Sequence, residues 1–241
     1  MTSCNENEAL LDFLSRPESY GLPADEKITR IDTHASYVFL AGGRAFKMKK
    51  PVTFSFLDFS TLEKRREICE RELELNRRTA PGIYLSVTPV RKTARGFHIG
   101  DAQGEPVEWL VEMKRFGDES LLATKAQKRD LTLSLVEELA GDVARFHTRA
   151  DVRREAGGAD NFAKIVADNE ADMKESIGPV FDARQAEHVT AASKRLIERH
   201  RALMDERRAT GWVRHCHGDL HLGNVAEIGG NPVIFDCIEF N

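Results

Sequence analysis

The chain has 241 residues, 41% of them hydrophobic and 31% charged, with a formal net charge of −4. That length can bury a proper core, as one large domain or two lobes, and the composition is that of a soluble globular protein. A pI near 6.1 argues against a nucleic-acid-binding surface dominating the molecule, although Lys49-Lys50 and Lys64-Arg65-Arg66 form local basic clusters.

The four cysteines, Cys4, Cys69, Cys216 and Cys237, show no Cys-x-x-Cys pair and no disulfide-framework spacing, which implies reduced thiols in a cytoplasmic protein. The first residues lack a basic segment followed by an apolar run, so no signal peptide is expected. No apolar run approaches the length of a membrane span.

Residues 8–14 predict a short amphipathic helix that stops near Pro17, and Ser19 to Pro23 a turn-rich connector. From Ile28 the pattern becomes that of strands, at 28–33, 35–40 and 45–50. Gly42-Gly43 marks a hairpin, and a further turn lies at His34-Ala35-Ser36. In the third strand alternation puts Lys47 and Lys49 on one face, with Phe46, Met48 and Lys50 on the other. Taken alone, such a pair reads as the solvated face of an edge strand.

An aromatic-rich connector, 51–59, leads to Ser60-Thr61-Leu62-Glu63, which has the capping-box form and predicts a helix over 60–78. Leu62, Cys69, Leu73 and Asn76 share one face of it. Glu63, Glu67, Glu70, Glu72 and Glu74 stand among arginines, mostly as solvated charges. After Ala80-Pro81-Gly82 strands resume at 84–90, 96–99 and 108–115, and the last meets a polar turn at Phe116-Gly117-Asp118.

Helices follow. One spans 130–149, with Leu135, Leu139, Val143 and Phe146 on a stripe and Leu131, Val136 and Ala140 beside it. His147 near its end reads as a core or capping histidine. A second helix, 161–176, carries Phe162, Ile165, Val166 and Met173. A third, 183–209, carries Val189, Ala192, Leu196 and Leu203 and is ended by Gly211. No repeat or low-complexity tract interrupts the order.

The chemistry gathers in the last stretch, His215-Cys-His-Gly-Asp-Leu-His-Leu-Gly-Asn224. Val225 to Phe235 then reads as strand, Gly-Gly-Asn turn, strand, which folds Asp236 back beside that loop. Asp219, Asn224 and Asp236 would converge on one small volume, as needed to hold Mg²⁺ and orient a hydroxyl for phosphoryl transfer. One rival is zinc-dependent hydrolysis, since His215, His217, Asp219 and His221 alternate much as in metallo-β-lactamase-type sites. Leu220 breaks that match, and little chain follows to supply further ligands.

The spacing His217-Gly218-Asp219, four residues, Asn224 parallels the His-Arg-Asp…Asn loop of protein kinases. It resembles more closely the aminoglycoside phosphotransferase branch of the kinase-like fold, whose loop reads His-Gly-Asp. Phe39 through Pro51, Phe56 through Arg65 and Glu72 through Arg78 resemble a narrower bacterial group, in which such a domain precedes a P-loop ATPase domain. The resemblance implies a two-lobed, protein-kinase-like α+β fold. Its N-lobe, 1–115, would be an antiparallel sheet plus one helix. Its C-lobe, 116–241, would be mainly helical and apparently truncated, because the family's acceptor-binding helices follow the metal-binding Asp.

The implied activity is ATP- and Mg²⁺-dependent transfer of a γ-phosphate to a hydroxyl of a small molecule, of sugar, amino-alcohol or aminoglycoside type. Carried over residue by residue, Asp219 takes the acceptor proton, His217 holds the loop, and Asn224 and Asp236 bind Mg²⁺. Lys49, favoured by the following Pro51, or Lys47 reaches the ATP phosphates. Glu72, with Glu70 as rival, pairs with that lysine, and Glu239 is a supporting acid. Glu112 to Arg115, with Glu112 and Met113 foremost, face adenine at the hinge. Ser36 stands in the turn where protein kinases carry Gly-x-Gly-x-x-Gly, a pattern this chain lacks. That departure keeps open a second reading, a nucleotide-binding or regulatory module without turnover of its own. No nucleic acid and no membrane are expected as partners.

Overall fold

The computed structural model describes residues 2–54 and 57–239. Phe56 lies outside them, as does the side chain of Cys4. The chain forms two compact units, Met1–Ala140 with His217–Asn241, and Gly141–Cys216.

The first unit is built on a sheet. Helix α1 (Thr2–Leu14) precedes β1 (Thr29–Asp32), β2 (Ser36–Ala41) and β3 (Arg44–Lys49). The small ribbon β4 (Thr53–Phe54) and β5 (Leu57–Asp58) leads to helix α2 (Leu62–Asn76), and β6 (Tyr84–Thr93), β7 (Gly96–Ile99) and β8 (Glu105–Lys114) follow. Six of these strands pair antiparallel in the order β1-β2-β3-β8-β6-β7. Strand β3 is therefore internal, bonded to β2 and β8, and the edge-strand reading of its lysines is overturned. Helix α3 (Leu122–Lys128), the first part of α4 (Leu133–Arg149) and the hairpin β9 (Val225–Ile228) and β10 (Asn231–Ile234) complete the unit.

Both faces of the sheet are covered. On one, Leu10 and Leu14 of α1 pack with Phe39, Phe46, Met48 and Leu110. On the other, Cys69 of α2 packs with Ala80, Ile83, Tyr84 and Val111, and Ile228, Val233 and Phe235 of the hairpin close over them. Each large apolar side chain so buried contributes roughly 1.5–3 kcal/mol. Helix α1 starts at Thr2, well before the expected 8–14, because residues 2–7 are polar and carry no apolar period. Helix α3 carried no expectation; Leu122 is its one buried residue, too little to register as periodicity.

Helix α2 departs from its expected cap. Its N-cap is Thr61, whose Oγ1 accepts from the Lys64 N–H at 3.2 Å, in place of a Ser60–Glu63 box. Its buried residues are Arg65, Cys69, Glu72, Leu75 and Asn76, so the expected Cys69 and Asn76 are joined by two charges that point inward. Arg65 Nε donates to both oxygens of Glu108 at 3.0 and 2.9 Å, which satisfies that buried pair.

The second unit is helical, with the end of α4, α5 (Gly158–Glu175) and α6 (Ala183–Ala209). Asp182 caps α6 by accepting from the Gln185 N–H at 2.9 Å. The buried face of α6 is Thr190 and Ile197, whereas Val189, Leu196 and Leu203, the expected core stripe, are 56, 54 and 45% exposed. The helix is turned one position from the expected packing. Phe162 and Ile165 of α5, also expected inside, are exposed, as is His147 at the end of α4. The whole is a mixed α+β protein, and among the described residues no helix is long and apolar enough to cross a membrane.

Candidate functional site

The loop 217–224 is held by its histidine. His217 is buried, its Nε2–H donates to the Phe235 carbonyl at 2.8 Å, and its Nδ1 accepts from the Asp219 N–H at 3.3 Å. That pairing assigns the neutral Nε2–H tautomer, and burial holds the ring below the usual histidine range. Between them Gly218 adopts φ +89°, and a Cβ there would lie 3.1 Å from Ile238, so glycine is required. Asn224 donates Nδ2–H to the Asp219 carbonyl at 2.8 Å and to Asp219 Oδ2 at 3.3 Å.

The hairpin then returns the chain. Gly229 and Gly230 have φ +62° and +86°, as a two-residue type I′ turn demands. Ile234 pairs with Val225, which places Phe235 beside the loop, where its N–H donates to the Asn224 carbonyl at 2.9 Å. The Ile238 N–H donates to the His217 carbonyl at 3.0 Å. The loop and the 235–238 segment are thus sewn together. Of the acids on these two segments, the Asp219 carboxylate is 58% exposed and that of Asp236 42%.

Asp236 belongs to a cluster of five charges. Lys47 Nζ sits 2.7 Å from Asp236 Oδ1 and 2.9 Å from Glu72 Oε1. Lys49 Nζ is 2.5 Å from Glu72 Oε2 and also pairs with Glu239. Glu72 is fully buried; burial pushes its carboxyl up, but the two ammonium groups outweigh that and hold it below the usual glutamate range. Lys47 likewise draws the Asp236 carboxyl below the usual aspartate range. Burial lowers Lys47, yet Asp236 and Glu72 reverse the effect and keep it raised and charged.

Helix α2 and strand β6 hold this segment in place. The Asp236 N–H donates to the Tyr84 hydroxyl at 3.1 Å. The Cys237 N–H donates to Asn76 Oδ1 at 2.8 Å, while Asn76 Nδ2 donates back to the Glu72 carbonyl at 2.9 Å. Asp236 itself has φ +60°, one of two non-glycine residues with positive φ among those described. Sequence reasoning gave Tyr84 and Asn76 no part in the site; they lie 152 and 161 residues from the partners they hold.

The other expected site residues are placed as follows. Glu72, not Glu70, faces the lysines; Glu70 is exposed and bonded to Arg66 at 2.9 Å. Ser36 is buried opposite Lys49 in the β2–β3 register, and its N–H donates to Thr33 Oγ1 at 2.9 Å. Glu112 and Met113 lie within β8, paired with Phe46 and Ala45 of β3 on one side and Ser86 and Tyr84 of β6 on the other. The Glu112 carboxylate accepts from Ser86 Oγ at 3.1 Å, and Met113 packs into the Cys69–Tyr84 cluster. His215 belongs to the helical unit, with Nδ1 3.4 Å from Arg153 Nη2. His221 Nε2 is 3.6 Å from Asp219 Oδ2. Among the described residues no group of three or more His, Cys, Asp or Glu side chains is placed to hold a metal ion.

With this geometry in hand, proteins of Mycobacterium bovis and of two strains of Mycobacterium tuberculosis are found to be similar. Each bears the name of an uncharacterized protein and is 31% identical over 215 residues, 87% of this chain. The chain spans 41% of their length. No family model matches it.

Two oxygen donors suit a hard cation such as Mg²⁺, the Asp236 carboxylate and Asn224 Oδ1. Asn224 Nδ2 is committed to Asp219, so its Oδ1 is the end available to a cation. Two protein oxygens are what a Mg²⁺ site completed by substrate phosphates and water needs. Asp219, exposed and oriented by Asn224, can accept a proton from a group approaching it.

Proposed function

We propose that this chain is the catalytic part of an ATP- and Mg²⁺-dependent phosphotransferase of the kinase-like, aminoglycoside phosphotransferase type, acting on a hydroxyl of a small molecule. One observation carries the reading. The His217–Asp219–Asn224 loop is bonded through Phe235 and Ile238 to the segment bearing Asp236, and Lys47 bridges Asp236 to Glu72 of α2. A lysine between a helix glutamate and a loop aspartate, beside a second aspartate oriented by an asparagine, is the set that phosphoryl transfer uses.

The roles follow from chemistry. Asn224 fixes the Asp219 carboxylate, which holds the acceptor hydroxyl and takes its proton. His217, neutral and doubly bonded, keeps that loop at a fixed distance from Asp236. Lys47 supplies a positive charge toward phosphate oxygens. Held by Asn224 and Asp236, Mg²⁺ would neutralise charge that develops on the phosphates. Because such a transition state is loose, positioning and electrostatics account for most of the rate enhancement. The full-length protein would carry a P-loop ATPase domain after this one; relatives more than twice as long as the matched stretch have room for it.

Calorimetric titration with ATP, with and without Mg²⁺, tests the reading first, followed by a screen of hydroxyl acceptors. Asp219→Asn should retain Mg²⁺–ATP binding and lose roughly 10²–10⁴ in transfer rate. Unchanged transfer by that variant would refute the assignment. Binding by the wild type without transfer to any acceptor would favour the regulatory module instead.

A further inference from the structure

The family pattern asks for one strand lysine and one helix glutamate, but this chain places a second lysine and a third acid behind them. Lys49 is 1% exposed, and its ammonium lies between Glu72 Oε2, at 2.5 Å, and Glu239, itself buried. The Phe59 ring lies 5.6 Å from the same nitrogen and helps to close off its surroundings. Lys47, by contrast, has a side chain 14% exposed and touches the partly open carboxylate of Asp236. Only Lys47 has a solvent-facing neighbour through which a phosphate could approach.

We infer that the two lysines divide the work: Lys47 is the phosphate-contacting residue, and Lys49 with Glu239 is a positioning pair that fixes Glu72 and the 236–239 segment. The inference rests on the phosphotransferase reading and deepens it. Glu72 has two oxygens and no solvent; the Lys49 ammonium lies 2.5 Å from Oε2 and that of Lys47 2.9 Å from Oε1, so the two charges hold the carboxylate between them. Glu239 lies three residues past Asp236. Its bond to Lys49 therefore anchors the same segment that Asn76 holds through Cys237 N–H and Tyr84 through Asp236 N–H. Release of the Lys49–Glu239 pair removes one anchor from the segment that bears the Asp236 carboxylate and loosens it, while leaving Lys47 and Glu72 in contact. Its loss should be felt in metal-dependent binding, whereas loss of Lys47 should be felt in all nucleotide binding.

The test is calorimetric affinity for a non-hydrolysable ATP analogue, with Mg²⁺ and with chelator, on the wild type and on Lys47→Met, Lys49→Met, Lys49→Arg and Glu239→Gln. Lys47→Met should weaken both affinities tenfold or more. Lys49→Met and Glu239→Gln should leave the Mg²⁺-free affinity within about threefold and remove most of the gain that Mg²⁺ gives, with Lys49→Arg restoring part of it. A merely structural effect would lower both affinities together. Should Lys49→Met fail to fold, Glu239→Gln, which retains the Lys49–Glu72 contact, carries the same readout. The division of labour is overturned if loss of Lys49 abolishes Mg²⁺-free binding while loss of Lys47 does not, or if Glu239→Gln leaves the Mg²⁺ gain intact. Absence of nucleotide binding by the wild type overturns the phosphotransferase reading and this inference together, and so is distinguishable from failure of the inference alone.

Discussion

Replacing Glu72 by Gln removes one negative charge from a site with no exposure to water. Both oxygens are engaged, by Lys47 at 2.9 Å and Lys49 at 2.5 Å, and the new amide group would point N–H bonds at an ammonium. Breaking a buried pair by removing one partner typically costs about 3–5 kcal/mol. Here each lysine keeps a second acid, Asp236 for Lys47 and Glu239 for Lys49, so the loss should fall at the lower end, about 3 kcal/mol. For a chain of this size that corresponds to a fall in Tm of roughly 6–12 °C. Thermal unfolding followed by circular dichroism measures it. Glu70→Gln, on the exposed face of the same helix, is the control and should change stability by no more than about 0.5 kcal/mol. If the two variants melt together, the Glu72 carboxylate is not the buried hub described above.

Three further outcomes are expected. In α6, Ile197→Ala should cost about 2–5 kcal/mol by urea titration, while Leu196→Ala, at an exposed neighbour, should be close to neutral; the reverse order would restore the stripe that hydropathy suggested. Because burial holds His217 below the ordinary histidine value, the unfolded chain binds the proton first. Stability on its account is full above about pH 6.5 and declines as pH falls through that value toward the folded one. His217→Gln should flatten that part of the stability–pH curve, and an unchanged slope would remove His217 as its source. The thiol of Cys69, fully buried and pushed up to about 12 by that burial, should resist labelling at pH 8 in the native protein and react on unfolding, as mapped by mass spectrometry.

Much of the sheet was legible because its strands alternate and its turns use glycine pairs. Residues 36–49 and the hairpin 225–234 fall where period and turn chemistry put them. The loop from His217 to Asn224 was legible as spacing, since five residues from Asp219 to Asn224 make one tight loop and a hairpin must bring the next acid back. The face of α6 was not legible. Its buried side includes Thr190, a short polar residue that hydropathy counts as surface, while larger apolar residues stand outside. The inward charges of α2 escaped for a related reason, because Arg65 and Glu72 are buried only by virtue of partners on strands distant in sequence, Glu108, Lys47 and Lys49. Which of two lysines meets the open carboxylate depends on side-chain reach, and alternation puts both on the same face.

The backbone at Asp236 bears on how this site could be lost. At φ +60° an L-residue is at ease only if it is glycine, or asparagine or aspartate, whose short polar side chains tolerate that twist. Of these three, aspartate alone carries a charge. A drift to asparagine would therefore leave the hairpin, the Tyr84 bond and the fold intact while silencing the one carboxylate that faces both Lys47 and the solvent. On the phosphotransferase proposal, a descendant of this protein could thus shed that chemistry in a single step and persist as a scaffold, and residue 236 is the position at which to look for that history.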